Sequence, residues 1–459
     1  MNLDIKKLQN QWYELEIEKI DNENPKNNKR RYIHFDFRPS NIEKKSIDFV
    51  WKPDIVARHS FYPFIRNTIV TRRKKADSSG IRILSPKPRP ISYASHKDSL
   101  LFSWYNYYLG QLYEEKIKDL DIKNAVIAYR TLKKSSVDFA KDVFDFIKNQ
   151  SNSIVLCFDI HGFFDHLDHK ILKNKWKEIL GIEEQNNLPP DHYAIYKALT
   201  KYSTVELKDV KTIFKTKTGR YCPPEDLRNK LSKTGLIKKN KEQFGIPQGS
   251  PISAGASNFY MLDFDRTVNC EVDKLGGLYR RYSDDIIVVI PFSESDDYKK
   301  ISDNLESFIM DKIKEQKLEI QKEKTEKKIF KHNDKRLECV NFDLSPSKVQ
   351  YLGIVFDGLN LDLRGSTWSR YHRKLSKFIS LKTYRFIKND KKIFPKKQIY
   401  ERFSDFGDNN IIGYAKNAER ILQSKLIHKK TTKHRLIGTI NKKIKIEVDK
   451  QTKRQNYTH

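Results

Sequence analysis

The chain has 459 residues, with 89 Lys and Arg against 59 Asp and Glu, and therefore a formal net charge of +30. Its 38% hydrophobic residues, with 26 Phe and 23 Tyr, suffice for a packed core and exclude a wholly disordered chain. The longest aliphatic run, residues 286–290, is far shorter than the ~20 residues of a membrane-spanning helix. So large a positive charge predicts a polyanionic partner, most simply nucleic acid, with lysine-rich codon usage as the alternative.

The start of the chain and the cysteines indicate a compartment. Residues 1–20 mix Lys, Glu and Asp with apolar residues, which is unlike a signal peptide. The four cysteines are far apart and form no C-x-x-C pair: Cys157, Cys222, Cys270 and Cys339. This spacing argues against a zinc site and a disulfide framework. We therefore expect a cytoplasmic protein without a membrane partner.

The positive charge is concentrated near the C-terminal end. Residues 361–459 contain 26 Lys and Arg against 8 Asp and Glu, a net charge of +18. Because this fifth of the chain carries more than half of the net charge, a general codon bias explains it less well than a nucleic-acid-binding region.

The predicted elements alternate between helices and strands. Residues 74–90 indicate an extended, hairpin-like stretch, and the periodicity then predicts helices at 96–113 and 137–147, a buried strand at 154–158 and a helix at 169–179. Residues 211–242 are polar, with Gly and Pro, and predict a flexible insertion. A long helix at 252–272, a strand hairpin at 278–290, a helix at 298–317 and a strand at 351–356 follow. Helices from residue 366 onward, with a frayed tail after 446, complete an α+β chain with a helical basic end.

Three short segments carry the residues for chemistry. In residues 158–165, F-D-I-H-G-F-F-D, Asp159 ends the buried strand. Residues 244–253, F-G-I-P-Q-G-S-P-I-S, form a glycine-shaped turn that opens a helix. In residues 279–289, Y-R-R-Y-S-D-D-I-I-V-V, two adjacent acids precede an apolar strand. Because adjacent residues point in different directions, we expect Asp284 to face a cleft and Asp285 to face aside.

Paired carboxylates on neighbouring strands suit two-metal phosphoryl transfer. Mg²⁺ prefers carboxylate, carbonyl and water oxygens, and two ions can activate a 3′-hydroxyl and stabilise the leaving pyrophosphate. Like charges this close would strain the fold unless a metal neutralised them.

Other residues near these segments have simpler interpretations. Asp159 would otherwise be a helix N-cap, and Phe164 is compatible with a core role. The histidines of residues 161–169 have no cysteine beside them and have the spacing of a helix start, so a solvated or core-edge role is favoured over a metal site. Arg280 and Arg281 are either solvated or in contact with primer phosphate, and the sequence does not choose between the two.

Together, the three segments resemble motifs A, B and C of reverse transcriptases. The segments P-K-P-R-P-I at 86–91, L-E-I-Q-K-E-K-T at 318–325 and Y-L-G at 351–353 resemble the fingers segment, motif D and the motif E primer grip. The resemblance implies an α+β right-hand polymerase. It would have an N-terminal extension and fingers at 1–150 and an antiparallel palm at 151–355, with an insertion at about 175–243. A basic helical thumb and tail would occupy 356–459.

The resemblance also implies roles for individual residues. Asp159, Asp284 and Asp285 would bind two Mg²⁺ ions, or Mn²⁺ in their place, with the Ile160 carbonyl as a further ligand. Phe164, five residues after Asp159, would be the steric gate against a 2′-hydroxyl. The remaining assignments are Arg89, Gln248 and Gly249 for nucleotide binding, Lys324 for the pyrophosphate, and Tyr282, Tyr351, Leu352 and Gly353 for primer and template.

Softer matches suggest a biological setting. Residues 59–65, 89–98, 128–130, 139–140 and 363–374 resemble bacterial abortive-infection and unknown-group defence reverse transcriptases. This implies an RNA-directed DNA polymerase that uses dNTPs in anti-phage defence. It would act on an RNA template, such as a dedicated non-coding RNA, or make untemplated or repetitive DNA. A homo-oligomer or a second protein subunit is compatible with this. The alternatives are a mobile-element enzyme, group II intron-like or retron-like, and a non-catalytic RNA-binding scaffold.

Overall fold

A computed structural model describes residues 4–18, 32–38, 43–76, 82–333, 336–389, 393–407 and 411–456. Helices and mostly antiparallel strands alternate along these residues, which confirms the α+β prediction. Among the described residues, no helix is long and apolar enough to cross a membrane. All four cysteines are free thiols.

The first part of the chain joins a helical layer to a long hairpin. Its elements are α1 (Ile5–Glu18), α2 (Lys44–Ile47), a 3₁₀ turn (Asp48–Trp51), α3 (Pro53–Ala57), β1 (Phe64–Ala76), β2 (Arg82–Tyr93), α4 (His96–Asp119) and α5 (Ser136–Lys148). The predicted hairpin is β1 and β2, and its tip at 77–81 lies outside the described residues. The Ser95 side chain accepts a hydrogen bond from the Asp98 amide and so begins α4. Ser135 and Asp138 form a capping box that begins α5.

The central part supplies the main sheet and the helices that cover it. Its helices are α6 (Phe163–His166), α7 (His169–Ile179), α8 (Pro190–Thr200), α9 (Leu207–Phe214), α10 (Pro224–Asp226), α11 (Ser253–Tyr260), α12 (Leu262–Lys274) and α13 (Tyr298–Glu315). A π-helical turn (Leu227–Ser232) and a 3₁₀ turn (Lys322–Lys324) lie between them. Its strands are β3 (Asn152–Asp159), β4 (Ser203–Glu206), β5 (Lys238–Lys239), β6 (Leu278–Tyr282), β7 (Asp285–Pro291), β8 (Glu326–Asn333), β9 (Arg336–Val340), β10 (Val349–Tyr351), β11 (Ile354–Phe356) and β12 (Leu361–Leu363).

The main sheet has the strand order β6-β7-β3-β8-β9 and is buried on both faces. Leu156 and Val288 belong to a core that includes buried residues of α4, α7 and α11 to α13. Val155 and Val289 face a second core, which includes α5 and the small sheet β10-β11-β12. Because successive strand residues point to opposite faces, the apolar run of β7 serves both cores.

The segment at 211–242 is folded, so the prediction of a flexible insertion is wrong. Strands β4 and β5 join the sheet β2-β1-β4-β5. Tyr221 and Leu231 are buried with Phe35 and Ile65 in a separate hydrophobic cluster. The segment is polar overall, but a few widely spaced apolar residues pack against the β1–β2 hairpin, and the overall composition did not reveal them.

The predicted helix at 252–272 is two helices, α11 and α12. The break is at Met261, whose φ of −86° and ψ of 5° leave the α-helical region. This change of direction places Asp265, on α12, next to strand β6.

The C-terminal part is helical, as predicted. Its helices are α14 (Gly365–Lys388), α15 (Lys396–Phe403), α16 (Ile411–Leu422), α17 (Lys425–Thr431) and α18 (Lys433–Asn456). Helices α14, α15 and α18 share a core that includes Leu375 and Ile440. The predicted fraying after residue 446 is wrong: α18 continues, and the Gln451 side chain donates a hydrogen bond of 3.1 Å to the Ser380 carbonyl on α14.

Candidate active site

The ends of two central strands bring Asp159 and Asp285 together. Asp159, the last residue of β3, lies directly opposite Asp285, the first residue of β7. Opposite residues of an antiparallel pair project from the same face of a sheet. The expectation that Asp285 faces aside is therefore wrong, because the strand register aligns it with Asp159.

Asp284 lies in the two-residue turn that joins β6 to β7. Its carbonyl accepts a hydrogen bond of 3.1 Å from the Ile160 amide, which ties the turn to the end of β3. All three aspartates line one open cleft of about 1340 Å³. The structure therefore brings together three carboxylates that lie up to 126 positions apart in the sequence.

The carboxylates hinder one another's ionisation. Partial removal from water and the charges of Asp284 and Asp159 raise the pKa of Asp285 to about 6. Burial and the charge of Asp159 also raise the pKa of Asp284. Lys324 and, at Asp285, Arg364 oppose these shifts. The cluster is therefore an environment that favours bound positive charge.

Lys324 supplies part of that charge. It ends the 3₁₀ turn before β8, and its ammonium group forms an ion pair with Asp159. Because the Lys324 side chain is 47% exposed, we expect the pair to contribute only ~0–1 kcal/mol to stability. Lys324 can therefore leave Asp159 at little cost.

The donor atoms fit Mg²⁺. Carboxylate and carbonyl oxygens are its preferred protein ligands, and the raised pKa values of Asp284 and Asp285 indicate unbalanced negative charge. Beside Ile160, the Gln321 amide donates to the Asp159 carbonyl and the His161 amide donates to the Glu319 carbonyl. These hydrogen bonds do not use the Ile160 carbonyl. Within the described ranges, no three His, Cys, Asp or Glu side chains are already grouped to hold a metal ion. Lys324 occupies the place of a cation at Asp159.

Three of the four predicted nucleotide-binding residues, Arg89, Phe164 and Gln248, border the same cleft, and Gly249 does not line it. Phe164 is in the short helix α6, which begins after Gly162, a residue in the αL region. The half-buried Phe164 ring lies edge-on to Tyr129, with ring centroids 6.4 Å apart. Arg89 and Gln248 are exposed and line the cleft. The structure thus places a bulky ring, a cation and an amide around the aspartates.

Gly249 allows the loop at 244–253 to approach β2. The Gln248 carbonyl accepts a hydrogen bond of 2.8 Å from the Ser92 amide. Gly249 has a φ of +111°, and a Cβ atom there would lie 2.7 Å from the Ser92 carbonyl oxygen. This position excludes any side chain, for conformational and steric reasons.

The predicted primer-side residues divide into two groups. Leu352 and Gly353 form the turn between β10 and β11, with φ of 45° and 88°, and line the cleft together with Tyr351. Tyr282, on β6, pairs with Asp285 of β7 and so is on the same face of the sheet, but its side chain packs against the core beside α5 and the small sheet and does not line the cleft. The structure brings the first three to the cleft and leaves Tyr282 out.

Sequence reasoning missed several cleft residues. Arg364, just before α14, Arg370, near the start of that helix, and Tyr414, on α16, also line the cleft. The Arg364 Nε atom is buried and has no hydrogen-bond partner among the described residues. The excess of Lys and Arg after residue 360 was the available signal, but it gave no indication of which cations reach the aspartates.

Arg281 resolves one open alternative. Its side chain is fully buried, with 0% exposure, and binds Asp265 through two hydrogen bonds of 2.7 Å. Both earlier interpretations, solvation and primer contact, are therefore wrong for Arg281. Arg280 is partly buried, and burial lowers its pKa.

Comparisons with known proteins agree with this arrangement. Residues 89–356, more than half of the chain, match the family described as reverse transcriptase (RNA-dependent DNA polymerase). The chain belongs to the reverse transcriptase family, and its α+β architecture is that of a right-hand polymerase. No curated protein matches the chain in sequence.

Solved structures with similarity include fungal telomerases. Apo telomerase from Candida tropicalis is 15% identical, with a TM-score of 0.38, and 84% of this chain is aligned to 60% of that chain. Telomerase from Candida albicans, in complex with a fragment of telomeric RNA, is 13% identical, with a TM-score of 0.36. There, 86% of this chain is aligned to 61% of that chain. The chain thus spans about three fifths of the length of these relatives.

Proposed function

We propose that this protein is an RNA-directed DNA polymerase that adds deoxynucleotides to a 3′-hydroxyl. The observation that carries the proposal is the convergence of Asp159, Asp284 and Asp285 on one cleft. Arg89, Gln248, Phe164 and Lys324 surround them in that cleft. The proposal matches the family to which the chain belongs.

The aspartates would bind the metal ions of the reaction. The three aspartates, with the Ile160 carbonyl, would hold two Mg²⁺ ions, or Mn²⁺ in their place. Bound ions supply activation of the primer hydroxyl and stabilisation of the departing pyrophosphate. The primer 3′-oxygen forms a bond to the α-phosphorus of the dNTP as the bond to pyrophosphate breaks.

Four further side chains would orient the nucleotide. Arg89, in the cleft lining, would bind the triphosphate, and Gln248, whose carbonyl is hydrogen-bonded to β2, would contact the nucleotide. The Phe164 ring would crowd a 2′-hydroxyl and so select deoxyribose. Lys324, once released from Asp159, would bring positive charge to the pyrophosphate.

The domain roles follow from position. Residues 1–150 would be the N-terminal extension and fingers, 151–355 the palm, and 356–459 the thumb. Residues 361–459, which include the helices α14 to α18, carry a net charge of +18, which suits contact with the phosphates of an RNA template and DNA product. Tyr351, Leu352 and Gly353, which precede these helices in the chain and line the cleft, would contact the primer end.

We further propose that the enzyme acts in the cytoplasm in anti-phage defence, with a non-coding RNA as partner. The support is the resemblance of residues 59–65, 89–98 and 128–130 to defence-associated reverse transcriptases. Sequencing the nucleic acid that co-purifies with the protein tests this. One recurrent RNA with complementary cDNA supports the proposal, whereas intron or retron RNA supports a mobile-element enzyme.

The polymerase activity has a direct test. Purified protein, freed of nucleic acid, is given an RNA template with a DNA primer, labelled dNTPs and Mg²⁺. We expect templated extension by the wild type and none by Asp284→Ala. Equal incorporation by both proteins, or none by either on any template, would overturn the proposal.

A further inference from the structure

The turn that carries Asp284 contains an unusual backbone. Ser283, its first central residue, has a φ of +62°, in the left-handed region. Two-residue hairpin turns with a positive φ at this position favour glycine. A serine there requires the surroundings to hold the conformation.

Arg281 holds this turn from behind the sheet. Its Nη1 donates a hydrogen bond of 3.1 Å to the Ser283 carbonyl. Its Nε and Nη2 bind the two carboxylate oxygens of Asp265, and Nη2 also donates to the Asn258 side chain at 3.3 Å. The guanidinium thus joins the turn to α11 and α12 in the core.

The partners of Arg281 are themselves fixed. The Tyr279 hydroxyl donates to Asp265 at 2.7 Å, and the Asn258 amide donates to the Ala128 carbonyl at 2.9 Å. From the neighbouring segment, the Tyr129 hydroxyl donates to the Ser283 hydroxyl at 2.9 Å. Arg281, which donates to the Ser283 carbonyl, is therefore held in the protein core, whereas Tyr129, which donates to the Ser283 hydroxyl, lines the cleft.

We propose that Arg281, oriented by Asp265, is a positioning residue for the Asp284 carboxylate. This proposal rests on the proposed polymerase function. By fixing the Ser283 carbonyl, Arg281 sets the peptide that precedes Asp284, while the Ile160 amide fixes the carbonyl that follows. Asp284 is thus held on both sides of its Cα atom, in the cleft that Asp159 also lines.

The chemistry of the side chain supports this role over simple stabilisation. A buried ion pair can often be replaced by apolar residues of similar volume without loss of stability. Only a guanidinium has enough fixed donors to bind a carboxylate with two groups and a carbonyl with a third. Its third contact is to the turn next to the candidate catalytic residue.

The main test separates positioning from stability. The triple variant Asp265→Leu/Arg281→Met/Tyr279→Phe removes the polar network but keeps its volume. Arg281→Lys keeps the charge but not the three-way contact. Asp263→Asn is the control. Asp263 is on α12, the helix of Asp265, but its ion pair is with Lys175 on α7, away from the turn. Thermal midpoint, kcat, the KM for dNTP and primer, and the Mg²⁺ concentration for half-maximal rate are measured for each.

We expect both network variants to lose kcat by about 10- to 100-fold, the cost of a displaced catalytic group. They should also need more Mg²⁺, with the KM for primer unchanged, and the control should match the wild type. A folded triple variant with kcat within about threefold of the wild type would overturn the proposal. If the triple variant does not fold, a folded Arg281→Lys variant with kcat within about threefold of the wild type would overturn the proposal. A wild type without any activity would instead reject the polymerase function itself.

Discussion

Asp159 and Asp285 are direct partners across the antiparallel strands β3 and β7, with both carboxylates on the cleft face of the sheet. This pairing explains why the pKa of Asp285 is raised to about 6. The sheet holds two like charges side by side, so the fold carries an unfavourable interaction at the place where the proposed reaction needs a cation-binding site.

Replacing Asp285 should therefore separate stability from activity. We expect Asp285→Asn to abolish DNA synthesis while raising the metal-free thermal midpoint by a few degrees at most near pH 7.5. Primer extension and differential scanning calorimetry measure the two effects. Asp303→Asn, which changes an exposed carboxylate on α13, should alter neither. A lower midpoint for Asp285→Asn would show that the ionised carboxylate is stabilising and would contradict this account.

The same group predicts a pH dependence of stability without metal. Because the pKa of Asp285 is about 6 in the folded protein and ~3.9 in the unfolded chain, the folded state binds more protons between these values. Stability from this group is therefore present below about pH 4 and is lost as the pH rises through about 6. Unfolding curves across this range should show a smaller pH-dependent loss for Asp285→Asn than for the wild type. Equal slopes would remove Asp285 as the cause.

Bound Mg²⁺ should compete with these protons. Since a metal ion requires ionised carboxylates, its stabilising effect should be small near pH 5 and larger above about pH 6. The increase in thermal midpoint on adding Mg²⁺ measures this directly, without DNA synthesis. A Mg²⁺ effect that Asp284→Ala leaves intact at every pH would place the ion elsewhere.

Lys324 should influence the Mg²⁺ requirement. Its ion pair with Asp159 opposes the binding of a cation there. We expect Lys324→Met to bind Mg²⁺ at lower concentration in the thermal-shift measurement, yet to have a lower kcat because the pyrophosphate loses a nearby positive charge. Lys322→Met, on the same 3₁₀ turn, is the control. If Lys324→Met needed more Mg²⁺ than the wild type, the competition between Lys324 and the ion would be refuted.

Phe164 should determine the choice of sugar. Its ring is at the cleft beside Tyr129, five residues after Asp159. We expect Phe164→Ala to increase ribonucleotide incorporation relative to deoxynucleotide by ~10- to 100-fold, the range for the loss of one group from a pocket. Competition assays with matched nucleotide pairs give the ratio. Phe144→Leu, buried on α5 and outside the cleft lining, should leave the ratio unchanged, and an unaltered ratio for Phe164→Ala would remove the gate assignment.

Much of this arrangement was predictable because it depends on local sequence. The apolar run at 154–158 predicted a strand that ends at Asp159, and the glycine at 249 predicted a turn, since both signals lie within a few residues. The order and spacing of the three motif segments then predicted the family. The roles of Asp159, Asp284 and Asp285 as metal ligands stay predictions.

The sequence by itself determined the chemical groups and the strands and turns that carry them, because hydrophobic periodicity and turn residues are local properties. Only the tertiary structure decided which groups meet. Strand register turned Asp285 toward Asp159, and burial against Asp265 removed Arg281 from any contact with phosphate. Both outcomes depend on packing between elements distant in the sequence, where the cost of burying an unpaired charge selects the partner.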